Sequence, residues 1–183
     1  MVMYVLLAKA YMRRMGDFMA SLNDGKDIMV QWVHRVFPYA STALDVGACD
    51  GKWYDLLGDH LTMDAVEIFK PNITKHKLKQ KYRKVFNLDI CDLEYQWYDL
   101  IIFGDVIEHL TVRDAQMVLR YAAPRCRDMI IAVPYLWSQP AIYGNKWEEH
   151  IQNDLTDEVF NIRYPGFENI IKFNDYGYYH KCL

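Results

Sequence analysis

The stretch Leu44-Asp45-Val46-Gly47-Ala48-Cys49-Asp50-Gly51 decides how this chain folds. Ser41 to Val46 reads as a short buried strand ending at Gly47, and Lys52 opens a helical pattern reaching about Leu61. Strand, small-residue turn and helix in that order begin a βαβ unit. Gly47 and Gly51 admit backbone conformations closed to larger residues and let a ligand approach the main chain. Ligands of open α/β sheets sit in the crevice beyond the carboxyl ends of the strands, where this turn lies.

The pattern continues outward. Met63–Ile68, Lys84–Leu88, Tyr98–Phe103 and Asp128–Val133 are further strands. Between them, a helix with Pro71 in its first turn runs to about Tyr82, and a helix capped by Thr111 runs through about Ala123, ended by Pro124. Ile28–Phe37 is a helix packed before the first strand. Such alternation predicts a parallel sheet covered on both faces. Phe167–Phe173, Asn174-Asp175 and Tyr176–His180 read as a β-hairpin, so the last strand should run antiparallel to its neighbours. Residues 1–20 are a helix candidate with Met12, Met15 and Met19 on roughly one face. The division expected is a single domain over 1–183, with 1–27 a helical cap or lid and 28–183 the core.

The chain has 183 residues, 52% hydrophobic, 15% aromatic and 25% charged, enough for a core without disulfides or a structural metal. Twenty-one basic and 24 acidic residues give a formal charge of −3, which excludes a uniformly basic nucleic-acid coat. No apolar run approaches the roughly 20 residues that span a bilayer, so no membrane partner is expected. Met1–Ala8 is apolar, but Lys9, Arg13 and Arg14 follow it, the reverse of a secretory leader. Cys49, Cys91, Cys126 and Cys182 form no C-x-x-C pair and read as free thiols of a cytoplasmic protein. Lys70, Lys75, Lys77, Lys79, Lys81, Arg83 and Lys84 fall in one acid-free stretch, read as a solvated helix face rather than a nucleic-acid site.

The turn itself narrows the ligand. A dinucleotide site wants G-x-G-x-x-G, with helix N–H groups on a pyrophosphate. Here the frame is D-x-G-x-C-x-G, with Cys49 for the middle glycine and Asp50 where a diphosphate would approach. Asp45 and Asp50 disfavour a polyanion and favour a cationic ligand. A nicotinamide-dependent oxidoreductase would also often carry a Tyr-x-x-x-Lys pair, and none is seen.

Four pieces in order complete the pattern: Asp45–Gly51, Val66-Glu67-Ile68, Leu88-Asp89-Ile90, and Asp99–Phe103 leading into Gly104-Asp105-Val106-Ile107-Glu108-His109-Leu110. In these the chain resembles the class I S-adenosylmethionine-dependent methyltransferases, over roughly residues 28–183. The resemblance implies a doubly wound, Rossmann-like α/β sheet of seven strands, mostly parallel, with helices on both faces. It implies S-adenosylmethionine as cofactor and S-adenosylhomocysteine as product. Asp45, Gly47, Ala48, Cys49 and Gly51 would serve the methionine part, and Glu67 would accept from both ribose hydroxyls. Ile68 would press on the adenine. Asp89 would accept from the adenine amino group while the Ile90 N–H meets a ring nitrogen. Asp105 and Val106 would lie near the sulfonium.

Asp105, Glu108 and His109 have i, i+3, i+4 spacing and would share a face if they begin a helical turn. This stretch resembles the acid-x-x-Glu-His motif of ubiquinone-type and small-RNA 2′-O-methyltransferases, some of which use a divalent metal there. The catalytic candidates are His109, Glu108 and His150, read without a metal and with a divalent ion as the alternative. The long segment Pro134–Asp154 offers Trp137, Tyr143, Glu149 and His150 toward an acceptor. The function expected is methyl transfer to an oxygen or nitrogen of a small molecule. The alternatives are a metal-dependent RNA 2′-O-methyltransferase and a non-catalytic S-adenosylmethionine-binding module.

Overall fold

A computed structural model describes residues 25–142 and 144–183. The expected helix over residues 1–20 and the side chain of Tyr143 lie outside the described residues. Among the described residues no helix is long and apolar enough to cross a membrane.

Seven strands form one sheet: β1 (Thr42–Val46), β2 (Thr62–Val66), β3 (Val85–Phe86), β4 (Tyr98–Gly104), β5 (Cys126–Pro134), β6 (Glu168–Lys172) and β7 (Tyr176–Cys182). Their order is β3-β2-β1-β4-β5-β7-β6. The first five are parallel, and β7 runs antiparallel between β5 and β6, as the hairpin pattern predicts. The helices are α1 (Lys26–Val36), α2 (Lys52–Leu57), α3 (Lys70–Lys75), α4 (Leu78–Lys81), α5 (Val112–Ala122) and α6 (Asp157–Arg163).

Alternation along the central strands sets the two faces. Ala43, Leu100, Ile102, Ile130 and Ala132 bury against Met29 and Val33 of α1 and Trp53 and Leu57 of α2. Leu44, Val46, Ile101, Phe103 and Ile131 bury on the other face with Ala115 and Val118 of α5 and Phe160 of α6. Each large side chain so buried contributes about 1.5–3 kcal/mol.

Several boundaries differ from expectation. α1 starts at Lys26, inside the stretch assigned to the cap and two residues before the expected Ile28. The helix expected to run to Tyr82 breaks at Lys77, which has φ +53. In one continuous helix Ile73 and Leu78 would point about 140° apart; the break lets both pack, with Tyr82, on one face of the sheet. α2 stops at Leu57, and a turn through Gly58 and His60 brings Leu61 back into the core. β2 ends at Val66, which leaves Glu67 and Ile68 beyond the strand.

Candidate active site

The strand order reverses between β1 and β4, and a cavity of about 930 Å³, counting its mouth, opens beyond their carboxyl ends. The chain after β1 turns at Gly47, φ +70, where an added Cβ would meet Val106 Cγ2 at 2.6 Å. The Gly47 and Ala48 N–H groups donate to the Val66 carbonyl at 2.9 and 3.1 Å, which ties the turn to β2. Cys49 follows with φ +43, a conformation rare for a side-chain-bearing residue. Asp50 Oδ1 then accepts from the Lys52 N–H at 3.1 Å and opens α2.

Glu67 stands beside this turn, almost fully buried. Its Oε2 accepts from the Cys49 N–H at 2.8 Å and its Oε1 from the Phe69 N–H at 2.7 Å. Burial pushes its carboxyl up, and the two backbone donors pull it back. Asn87 Nδ2 donates to the Glu67 and Ile68 carbonyls at 2.8 and 3.0 Å, so β3 holds the segment in place. Asp89 caps the short turn Ile90–Asp92, its Oδ1 accepting from the Cys91 N–H.

Gly47, Ala48, Cys49, Glu67, Ile68, Asp89, Ile90, Asp105, Val106 and His109 all line the cavity. Asp45, Gly51, Glu108 and His150 do not. Asp45 lies beneath the turn, fully buried, with Tyr82 Oη donating to its Oδ2 and its Oδ1 without a donor. Burial pushes its carboxyl up to about 7. Burial thus weakens the negative charge expected of it, and its depth keeps it off the cavity wall. Gly51 sits at the start of α2 with φ +81, against the Lys81 side chain.

The expected i, i+3, i+4 face of Asp105, Glu108 and His109 does not form. Asp105 has φ +57, and only Ile107–His109 makes a helical turn. Asp105 instead accepts from Tyr176 Oη at 2.6 Å through Oδ1, and its Oδ2 lies 3.6 Å from the buried Lys26 ammonium.

Glu108, His109 and His150 do come together, with one ligating atom of each within 4.8 Å of the others. The two imidazoles pack edge to face, 4.7 Å between centroids. Each Nδ1 meets a backbone carbonyl, His109 that of Glu149 at 3.0 Å and His150 that of Trp137 at 2.9 Å. A carbonyl only accepts, so each Nδ1 carries the proton and each Nε2 is left with a lone pair. Burial, and then His150, push His109 down to about 4, and burial lowers His150 as well. Both Glu108 oxygens are buried with no hydrogen-bond donor, and burial pushes that carboxyl up strongly.

Sequence reasoning missed the residue that assembles this group. Gln152, buried, donates through Nε2 to the Ile107 and Leu110 carbonyls at 2.7 and 3.0 Å. The Ile151 and Gln152 N–H groups both donate to the Glu108 carbonyl. The segment after β5 is thus stitched to the turn after β4. It also missed Lys52, Trp53, Asn145, Trp147 and Glu148 as cavity-lining residues, whereas Asp50, read as a charge at the ligand, does line it. Glu149, offered toward an acceptor, is exposed and takes part through its carbonyl. Trp137 likewise serves His150 through its carbonyl and does not line the cavity. The basic stretch lies on α3, α4 and the turn after them. There Lys81 pairs with Asp55 at 2.7 Å and Arg83 with the buried Asp64, also at 2.7 Å.

No protein-family model matches the chain, and no curated protein does. Solved structures share its fold. An S-adenosylmethionine-dependent methyltransferase from Clostridium acetobutylicum matches with a TM-score of 0.68 at 13% identity, covering 98% of both chains. A magnesium protoporphyrin IX methyltransferase from Synechocystis, solved with bound S-adenosylmethionine, matches at 0.60 and 14% identity, covering 84% of this chain and 76% of that one. A mitomycin 7-O-methyltransferase matches at 0.58 and 13% identity over 85% of this chain, which spans only 54% of that enzyme's length. The fold is therefore the Rossmann-like fold of these methyltransferases, as the four motifs imply.

Proposed function

We propose that the chain binds S-adenosylmethionine and transfers its methyl group to an oxygen or nitrogen of a small-molecule acceptor. One observation carries the reading. The cavity at the strand-order reversal is lined by the carboxylate residues Asp50, Glu67, Asp89, Asp105 and Glu148 and, among the described residues, by one basic side chain apart from His109, Lys52. Such a lining favours a cation and repels a dinucleotide.

When bound, the cofactor supplies a methyl group already activated on a sulfonium. The chain has to bind and align it. Glu67 suits the ribose: two backbone N–H groups fix its carboxylate at the cavity wall, and a carboxylate has acceptor capacity beyond them for a hydroxyl. The left-handed turn at Gly47 and Cys49 brings bare main chain to the cavity wall. Asp89, whose Oδ1 accepts from the Cys91 N–H, lines the cavity beside Ile90 and is placed to accept from an amino group. Trp53 and Val106 wall the same cavity, near Gly104 and Gly47 respectively. Alignment of acceptor and methyl in one water-poor cleft supplies much of the rate in such a transfer.

Calorimetry tests the reading. The unaltered protein is expected to bind S-adenosylmethionine, and Glu67→Ala to lose at least tenfold in affinity, as for a charged acceptor taken from two hydroxyls. No binding by the unaltered protein overturns the reading.

A second reading concerns Glu108, His109 and His150, and the orphaned Glu108 carboxylate favours it. Two bare Nε2 atoms and one buried carboxylate, with both Nδ1–H groups anchored on carbonyls, fit a divalent first-row ion. These three residues would hold the ion, which would lower the pKa of an acceptor hydroxyl. A histidine pushed down to about 4 is a weak base for an alcohol near neutral pH, so holding the acceptor suits it better than deprotonating it.

A further inference from the structure

Glu148 is the cavity-lining acid that no motif points to, and the chain around it is built to aim it. The turn Lys146–Glu148 follows Asn145, which is buried beneath it. Asn145 Oδ1 accepts from the Trp147 N–H at 3.1 Å, and Asn145 Nδ2 donates to Glu148 Oε1 at 3.1 Å. Gln139 Nε2 donates to the Glu148 carbonyl at 2.8 Å. Both ends of the residue are therefore fixed, and it lines the cavity together with the Gly47–Cys49 turn. Burial, and then the Glu67 charge, push its carboxyl up, and Asp105 also acts on it, so both acids are near enough for like charges to meet in the cavity.

That space has a chemical identity if the cavity holds S-adenosylmethionine, on which reading this inference rests. Glu67 is at the ribose end and Asp105 at the methyl end. The sulfur is bonded to the ribose 5′ carbon and to the methyl, so it belongs between them. We propose that Glu148 is the counter-charge of the sulfonium and makes the site select the charged cofactor over its neutral product. In the transfer, an acceptor lone pair forms the new bond to the methyl carbon. The carbon–sulfur bond breaks with its electron pair left on sulfur, and an acceptor O–H or N–H proton leaves to solvent. Sulfur becomes a neutral thioether. Glu148, Glu67 and Asp105 then line the cavity with the sulfonium charge gone.

The test compares the unaltered protein with Glu148→Gln, which keeps the acceptor for Asn145 and removes only the charge. Calorimetry is run with S-adenosylmethionine, with S-adenosylhomocysteine, and with sinefungin, whose amine carries a positive charge at the same place. The unaltered protein is expected to bind the two cations more tightly than the thioether. In Glu148→Gln both cations should weaken about tenfold, with the thioether unchanged or tighter. Equal weakening of all three ligands, or an unchanged preference, overturns the role of Glu148 and leaves the methyltransferase reading standing. Failure of the unaltered protein to bind any of them overturns that reading instead.

Discussion

His109 and His150 meet edge to face at 4.7 Å, each with its Nδ1 proton committed to a carbonyl of the segment between Trp137 and Glu149. The pair exists because the turn after β4 and the loop after β5 are bound to each other. Gln152 is the joint: its amide donates to two carbonyls of the first element, and its Oε1 accepts from Tyr164 Oη and Arg163 Nη1 of α6 and its end. Gln152→Ala strands those buried carbonyls and is expected to cost about 1–3 kcal/mol, read from denaturant midpoints. An unchanged midpoint would show that the joint is made elsewhere.

A divalent ion is expected at Glu108, His109 and His150. Manganese titrated into the protein and followed by electron paramagnetic resonance should show one bound ion per chain. Glu108→Gln or His150→Gln should lower that affinity about 10-fold or more, since each removes a ligand. Equal uptake by the variants would place the ion elsewhere, and no uptake would remove the metal reading.

Gly104 ends β4 with Trp53 against it, and an added Cβ would lie 2.1 Å from Trp53 Nε1. Gly104→Ala must displace an indole that is core on one side and cavity wall on the other. The expected loss is about 1–3 kcal/mol of stability, as for overpacking, together with weaker cofactor binding. A variant as stable and as tight as the parent would show that the indole moves freely.

Asp45 gives stability a pH dependence. Its folded carboxyl holds the proton to about 7, against an ordinary value of 3.8. Between these values the unfolded chain binds fewer protons than the folded one, so stability falls as pH rises through that window. Asp45→Asn removes the titration while keeping an acceptor for Tyr82. Its stability relative to the parent should rise by a few kcal/mol, to order of magnitude, between pH 4 and pH 8. A parallel pH profile for the two proteins would contradict this.

The pattern of this outcome is physical. The parallel strands were legible because short apolar runs between helical patterns leave few alternatives, and Glu67 and Asp89 were legible because strand ends fix their place. The loop after β5 has no period. Choosing Glu148 over Glu149 there needed the Asn145 hydrogen bonds, which arise only once the chain turns. Asp105 was placed on the histidine face by helical spacing, which its left-handed backbone cancels. Asp45 looked like a ligand charge because it adjoins the glycine turn. Its depth under that turn, which local sequence does not state, pushes its carboxyl up and keeps it off the cavity wall.

The central claim is that the cavity beyond β1 and β4 holds the cofactor. A crystal structure of the protein soaked with S-adenosylhomocysteine measures it directly. The result expected is density in that cavity with both ribose hydroxyls on Glu67 and the adenine between Ile68 and Ile90. Clear density for the protein with the ligand elsewhere, or with an empty cavity at saturating ligand, would contradict it.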